Sequence, residues 1–317
     1  MADNKSGPPS RISRREAGPI SPAATDVLTR FEQQLRTVED LSVSTLRAYL
    51  ADLHHFAFWC EARVSSETGQ LRFGPDQLTT PLLTRYRSHL QQELHLKPAS
   101  VNRALVSLKR FCAWAEQAEL APRDVARPVR FVRLESASPR GLTDQEEDAL
   151  VRAVNKHGGL RDVAIIVLML HTGLRAGETC RIQRRDLTLG KRSGNLTVTG
   201  KGNKVRDVPL NATARETLGR YLPSVQVDSQ FVFPSDRQDG PISTRALDHL
   251  IRKYAHLAKL QISPHDLRHR FGYVMAEQVP LHRLAQIMGH DSLDTTARYT
   301  RATKRDLQAE VEKIAWQ

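Results

Sequence analysis

Apolar positions in the first third of the chain recur at helical spacing. Val27, Leu28, Phe31 and Leu35 mark one face of a first helix. Leu46, Tyr49, Leu50, Leu53, Phe56 and Phe58 trace a second, which Ser42 or Ser44 can cap. A loop with Gly69, Gly74 and Pro75 leads to a third helix over about residues 81–94 and a fourth over 98–120. No strand pattern occurs here, so residues 23–120 read as a small helical domain. Residues 121–141 hold Pro122, Pro128, Pro139, Gly141 and five arginines, which predicts a basic linker. Thr143 and Glu146 then form a capping box, and the apolar run 163–170 predicts a buried helix that stops at Thr172-Gly173. Next the period changes to two. Leu196, Val198 and Gly200 alternate with Thr197, Thr199 and Lys201, and an extended segment with Val205 and Val208 follows. This predicts a β-hairpin with Lys201 near its tip. Ser263 and Pro264 open another helix. Its one face carries His265, Arg268, His269 and Gly272, and Leu267, Phe271 and Val274 lie opposite for packing. Leu307, Val311 and Ile314 predict a short amphipathic helix over 303–316. The expected class is α+β, mostly helical, with a small antiparallel sheet in a second domain at 142–317.

Composition adds a partner. The 317 residues carry a formal charge of +12, so nucleic acid is the first expectation and an anionic membrane surface the second. No apolar run approaches the roughly 20 residues of a membrane span, and residues 1–22, rich in Pro, Ser and Arg, read as a disordered basic tail without a signal region. Cys60, Cys112 and Cys180 have no metal spacing and cannot all pair, which suits a reducing cytoplasm.

The polar face at 265–272 is the strongest chemical feature. A guanidinium beside two imidazoles suits an anionic group such as phosphate, and Gly272 leaves room for an approaching group. His265 and His269 at i,i+4 also fit metal ligation, but Arg268 between them opposes a cation and no metalloprotease glutamate is present. Arg175 and Glu178 are one turn apart, so the carboxylate can hold the guanidinium, as a structural ion pair or as part of a site.

Arg175, Lys201, His265, Arg268, His290 and Tyr299, in that order, resemble the tyrosine recombinases of the lambda-integrase and Xer-like type. The strings are Thr-Gly-Leu-Arg-x-x-Glu at 172–178, Gly-Lys-Gly-Asn-Lys at 200–204, His-x-Leu-Arg-His at 265–269, and Gly-His at 289–290 with a tyrosine nine residues on. Arg270, where a small hydroxyl residue is common, and Met288, where leucine is usual, depart from the pattern. The resemblance covers residues 25–317. It implies a helical core-binding domain of SAM-like type, a catalytic domain, and a cytoplasmic strand-transferase working as a homotetramer on two double-stranded DNA sites, with or without a second recombinase or accessory protein. Dimer resolution and integration, excision or cointegrate resolution by a mobile element all remain open. A terminal helix that docks on the neighbouring protomer is implied too.

In that chemistry Tyr299 attacks the scissile phosphorus and the energy of the diester is kept in a phosphotyrosine. Arg175, Arg268 and His290 are the expected donors to the phosphate oxygens, Lys201 the acid for the 5′-oxygen, and His265 the base. Glu178 and His269 are expected in support, and no metal or other cofactor is called for. Arg47, Arg103, Lys109, Arg110, Arg140 and Lys204 are candidates for DNA contact. Of the six tyrosines, Tyr299 alone follows Gly-His at loop distance. A type IB topoisomerase-like enzyme and a non-catalytic DNA-binding protein of the same fold are the alternatives.

Overall fold

The structure is a computed structural model that describes residues 18–38, 41–64, 73–134, 141–200, 204–226, 228–290, 293–297 and 299. The chain divides into two compact units, at residues 1–136 and 137–317.

The first unit is built from α1 (Pro22–Val38), α2 (Val43–Trp59), α3 (Thr80–Ser88) and α4 (Pro98–Gln117). Ala24, Leu28, Phe31 and Leu35 form the buried stripe of α1. Ser42 caps α2, its Oγ accepting from the Thr45 amide at 3.2 Å. A wider turn at His89–Glu93 continues α3. Phe31 meets Phe111 edge to face at 5.4 Å in the core. Fully burying such a ring contributes roughly 1.5–3 kcal/mol.

Part of the stretch expected to be a linker belongs to this unit. Val125, Ala126 and Val129 are buried in its core. Asn102 exchanges two hydrogen bonds with the backbone of Val132, at 2.8 and 2.7 Å. Lys109 Nζ donates to the carbonyls of Ala126 and Arg127 at 2.6 and 3.0 Å. Prolines and arginines look like a tether in sequence, but the carbonyls of Val125, Ala126 and Arg130 are bound by side chains from α3 and α4.

The second unit comprises α5 (Asp144–His157), α6 (Leu160–Thr172), α7 (Ala176–Arg181), a sheet, α8 (Ala212–Tyr221), α9 (Thr244–Leu257), α10 (Pro264–Ala276), α11 (Leu281–Met288) and α12 (Leu293–Ala297). The Thr143–Glu146 capping box opens α5. From Ala164 to Leu170 every residue of α6 is buried, as its continuous apolar run requires. The sheet has three antiparallel strands in the order β1 (Leu187–Leu189), β2 (Gly194–Thr199), β3 (Val205–Pro209). The expected hairpin is β2–β3, and β1 is an additional strand too short to show alternation. Leu196 pairs with Val208 and Val198 with Arg206. Val205 is 64% exposed. Positions 205 and 208 differ by an odd number, so they cannot share a face, and Arg206 is the residue that turns inward with Val208. On α10, Leu267 and Phe271 pack as expected, but Val274 is 39% exposed at the mouth of an apolar groove.

Candidate active site

Two glycine-ended helices frame the site. At the end of α6, Gly173 takes φ +61°, the left-handed cap that L residues avoid, and a Cβ there would lie 2.3 Å from the Phe271 ring. Its carbonyl accepts from Arg268 Nη1 at 2.5 Å. The following Leu174 is fully buried and anchors the turn that presents Arg175.

At the end of α11, Gly289 takes φ +64°. The last carbonyls of a helix lack partners within it and carry the negative end of its dipole. Here three successive carbonyls each receive an arginine. Ile287 accepts from Arg206 Nε at 2.9 Å, Met288 from Arg268 Nη2 at 2.8 Å, and Gly289 from Arg175 Nη2 at 2.9 Å. A Cβ at Gly289 would meet the Arg206 guanidinium at 2.9 Å.

Glu178 ties two of these arginines together. Its Oε1 accepts from Arg175 Nη1 and Arg206 Nη1, both at 2.9 Å, and its Oε2 from Arg206 Nη2 at 2.8 Å and the Arg175 amide at 2.8 Å. Burial alone would raise the carboxyl pKa. The hydrogen bonds from Arg206 and Arg175 reverse this and hold it at about 2. Arg268 has only 3% exposure, and burial followed by the nearby Arg175 lowers its pKa to about 10. It stays protonated at neutral pH. Among the described residues Glu178 bonds Arg175 and Arg206, while Arg268 bonds two carbonyls and His290, which leaves positive charge that suits a phosphate.

His290 lies against Arg268, Nε2 to Nη2 at 2.9 Å, and its Nδ1 is 2.7 Å from Thr296 Oγ1. A guanidinium can only donate, so Nε2 accepts and Nδ1–H donates to the threonine. The Tyr299 ring stacks on His290 at 6.2 Å and meets Tyr273 edge to face at 5.2 Å. It occupies the space that Gly272 leaves, where a Cβ would be 2.7 Å away. Tyr299 Oη lies 2.9 Å from His269 Nδ1. His265 is exposed on α10, with its ring stacked on His269 at 5.6 Å. Desolvation of the covered part, then Arg268 and Arg175, lower its pKa.

The second unit thus gathers Arg175, Glu178, Arg268, His269, His290 and Tyr299, with His265 alongside. Lys201 lies outside the described residues. The chain reaches it from Gly200, whose amide donates to the Lys204 carbonyl at 2.7 Å and whose Cα hydrogens face Arg206 and Glu178. Lys204 is exposed. In the first unit Arg47 is exposed, Arg110 stacks on Tyr49 at 5.3 Å, and Arg103 makes a two-point pair with buried Asp52 at 2.9 and 2.7 Å. Arg140 is outside the described residues. Sequence reasoning missed Arg206 and Thr296. The period-two face shared with Val208 was the available signal for Arg206. Arg270, noted as a departure, binds Glu147 Oε2 at 2.5 Å and Asp144, clasping α10 to the start of α5. Among the described residues there is no group of three or more side chains suited to a metal, and no helix long and apolar enough to cross a membrane.

Residues 140–306 match the model of the phage integrase family, and residues 27–121 match that of the phage integrase N-terminal SAM-like domain. The tyrosine recombinase XerD of Xanthomonas campestris pv. campestris is 31% identical, with 96% of each chain covered. The XerD of Xanthomonas axonopodis pv. citri is 30% identical, covering 91% of this chain and 97% of its own. The fold is similar to that of XerH site-specific recombinase, solved bound to palindromic difH substrate as a post-cleavage complex: TM-score 0.73, 18% identity, 93% of this chain and 85% of that one. With a SAM-like domain, a catalytic domain and relatives that match end to end, the chain belongs to the phage integrase family, as a tyrosine recombinase of the lambda-integrase and Xer type.

Proposed function

We propose that this chain cuts and rejoins two duplex DNA sites through a 3′-phosphotyrosine formed at Tyr299. As a family member it is a site-specific recombinase that breaks and rejoins DNA. One observation carries the residue assignment. Arg175, Arg206 and Arg268 converge on the carbonyls at the end of α11, Glu178 binds two of them, and Arg268 continues through His290 to the buried Tyr299. Tyr299 Oη attacks phosphorus, the P–O5′ bond breaks, and the diester energy is retained for rejoining. Arg175 and Arg268 turn donors to the non-bridging oxygens, each contact contributing roughly 3–4 kcal/mol in comparable sites. Lys201 protonates the leaving 5′-oxygen. His290 becomes a phosphate donor once Arg268 turns toward the phosphate and the imidazole changes tautomer to Nε2–H, its Nδ1 then accepting from Thr296 Oγ1–H.

The proposed assembly is a homotetramer on two sites in the cytoplasm. Its support is a groove of about 400 Å³ on the second unit, lined by Leu170, Phe271, Val274, Met275 and Ile287. The stripe of Leu307, Val311 and Ile314 from a second copy matches it in character.

The test uses a nicked half-site from which the 5′-fragment diffuses away. The account expects a protein–DNA band on a denaturing gel from the wild type and none from Tyr299→Phe, which still binds. Absence of the band with wild type would favour a non-catalytic DNA-binding protein. Equal relaxation of any supercoiled plasmid would favour the topoisomerase alternative.

A further inference from the structure

We propose that His269 takes the phenolic proton of Tyr299, so that it, and not His265, is the general base of strand cleavage; this rests on the recombinase reading above. Two residues on one face of α10 build the seat. Gly272 lets the Tyr299 ring lie against the helix, with a would-be Cβ only 2.7 Å away. One turn earlier, His269 meets the hydroxyl, Nδ1 to Oη at 2.9 Å, within the range for direct proton transfer. His265 instead stacks its ring on His269 and faces solvent.

The groups around this pair are Arg268 and Asp266 on the same helix, His265 with its ring on His269, His290 with its ring on Tyr299, and, around Arg268, Arg175, Arg206 and Glu178. The anionic phosphate of bound substrate stabilises the imidazolium that forms at 269 as the proton arrives. In the step, the Oη–H bond breaks and Nδ1–H forms as Oη bonds phosphorus. The P–O5′ bond breaks and the 5′-oxygen takes its proton from Lys201. The two residues together neither gain nor lose a proton. In rejoining, protonated His269 returns the proton to the departing phenol.

The experiment is single-turnover cleavage of the nicked half-site by the full-length chain across about pH 7 to 9. His269→Ala should cleave about 100-fold slower, as loss of a general base does. Its rate should rise about tenfold per pH unit as phenolate forms by itself, and added imidazole should restore part of it. The adduct must still form slowly, which separates this claim from failure of the recombinase reading, where wild type forms none. His269→Asn keeps an acceptor near Nδ1 without basicity, and should bind half-site normally and cleave as slowly as His269→Ala. His265→Ala should show no imidazole rescue. The proposal is overturned if His269→Ala or His269→Asn cleaves at the wild-type rate or faster. It is also overturned if the defect is constant with pH and insensitive to imidazole.

Discussion

Glu178, at 4% exposure, decides whether Arg175 and Arg206 stay aimed. Its folded pKa of about 2 lies below the ordinary 4.5, so its stabilisation is complete above pH 4.5 and is lost as pH falls toward 2. The shift corresponds to roughly 3 kcal/mol. Urea unfolding of wild type and Glu178→Gln should differ by a constant amount above about pH 5 and converge below it. A gap unchanged down to pH 3 would contradict this cause. Lys201 carries a second prediction at this scale. Lys201→Ala should cleave ordinary DNA slowly yet recover on a substrate whose bridging 5′-oxygen is sulfur, because a thiolate leaves without an acid. Equal defects on both substrates would remove it from that role. The Arg175–Glu178 pair was legible from a three-residue spacing. Arg206 was not, because Val205 and Val208 both read as apolar positions and only the register with Val198 settles which face is buried.

Among the elements, α11 matters most for its C-terminus. The last turn of this eight-residue helix and its cap supply three carbonyls to three guanidiniums, and Gly289 leaves room for Arg206 to reach the first of them, at Ile287. Gly289→Ala would hold a non-glycine residue in the left-handed region, at about 1–3 kcal/mol, and push the Arg206 guanidinium aside. We expect half-site binding to stay within a few-fold while cleavage falls at least tenfold, about 1.4 kcal/mol of transition-state contact. Equal loss of binding and cleavage would mean that the turn only supports the fold. The helices of the first unit, α6, α10 and the β2–β3 hairpin were legible because their periodicities are local. Strand β1 and the docking of residues 121–134 were not, since three residues cannot show alternation and the docked segment is held by backbone carbonyls. Gly173 read as a helix stop and Gly289 as part of a Gly-His string, but their carbonyls' arginine partners lie 95 and 114 residues away in sequence.

At the scale of the molecule, the +12 charge suits DNA, and the proposed assembly would use the open groove near Val274. The segment 303–316, predicted to be helical, lies outside the described residues, and a helix so short is marginal unless docked. Removing residues 304–317 should leave one monomer binding one half-site and abolish cooperative filling of the second. Gel-shift titration on full and half sites measures this, and unchanged cooperativity would contradict docking between copies. Loss of half-site binding would mean that the tail covers its own unit.

Which side chain carries the DNA is the claim on which the rest depends. Digesting the covalent complex with protease and nuclease and sequencing the modified peptide by mass spectrometry answers it directly. The account predicts a nucleotide 3′-phosphate on Tyr299 and no modified peptide from Tyr299→Phe. A nucleotide on Tyr273, on a histidine or on any other residue would contradict it.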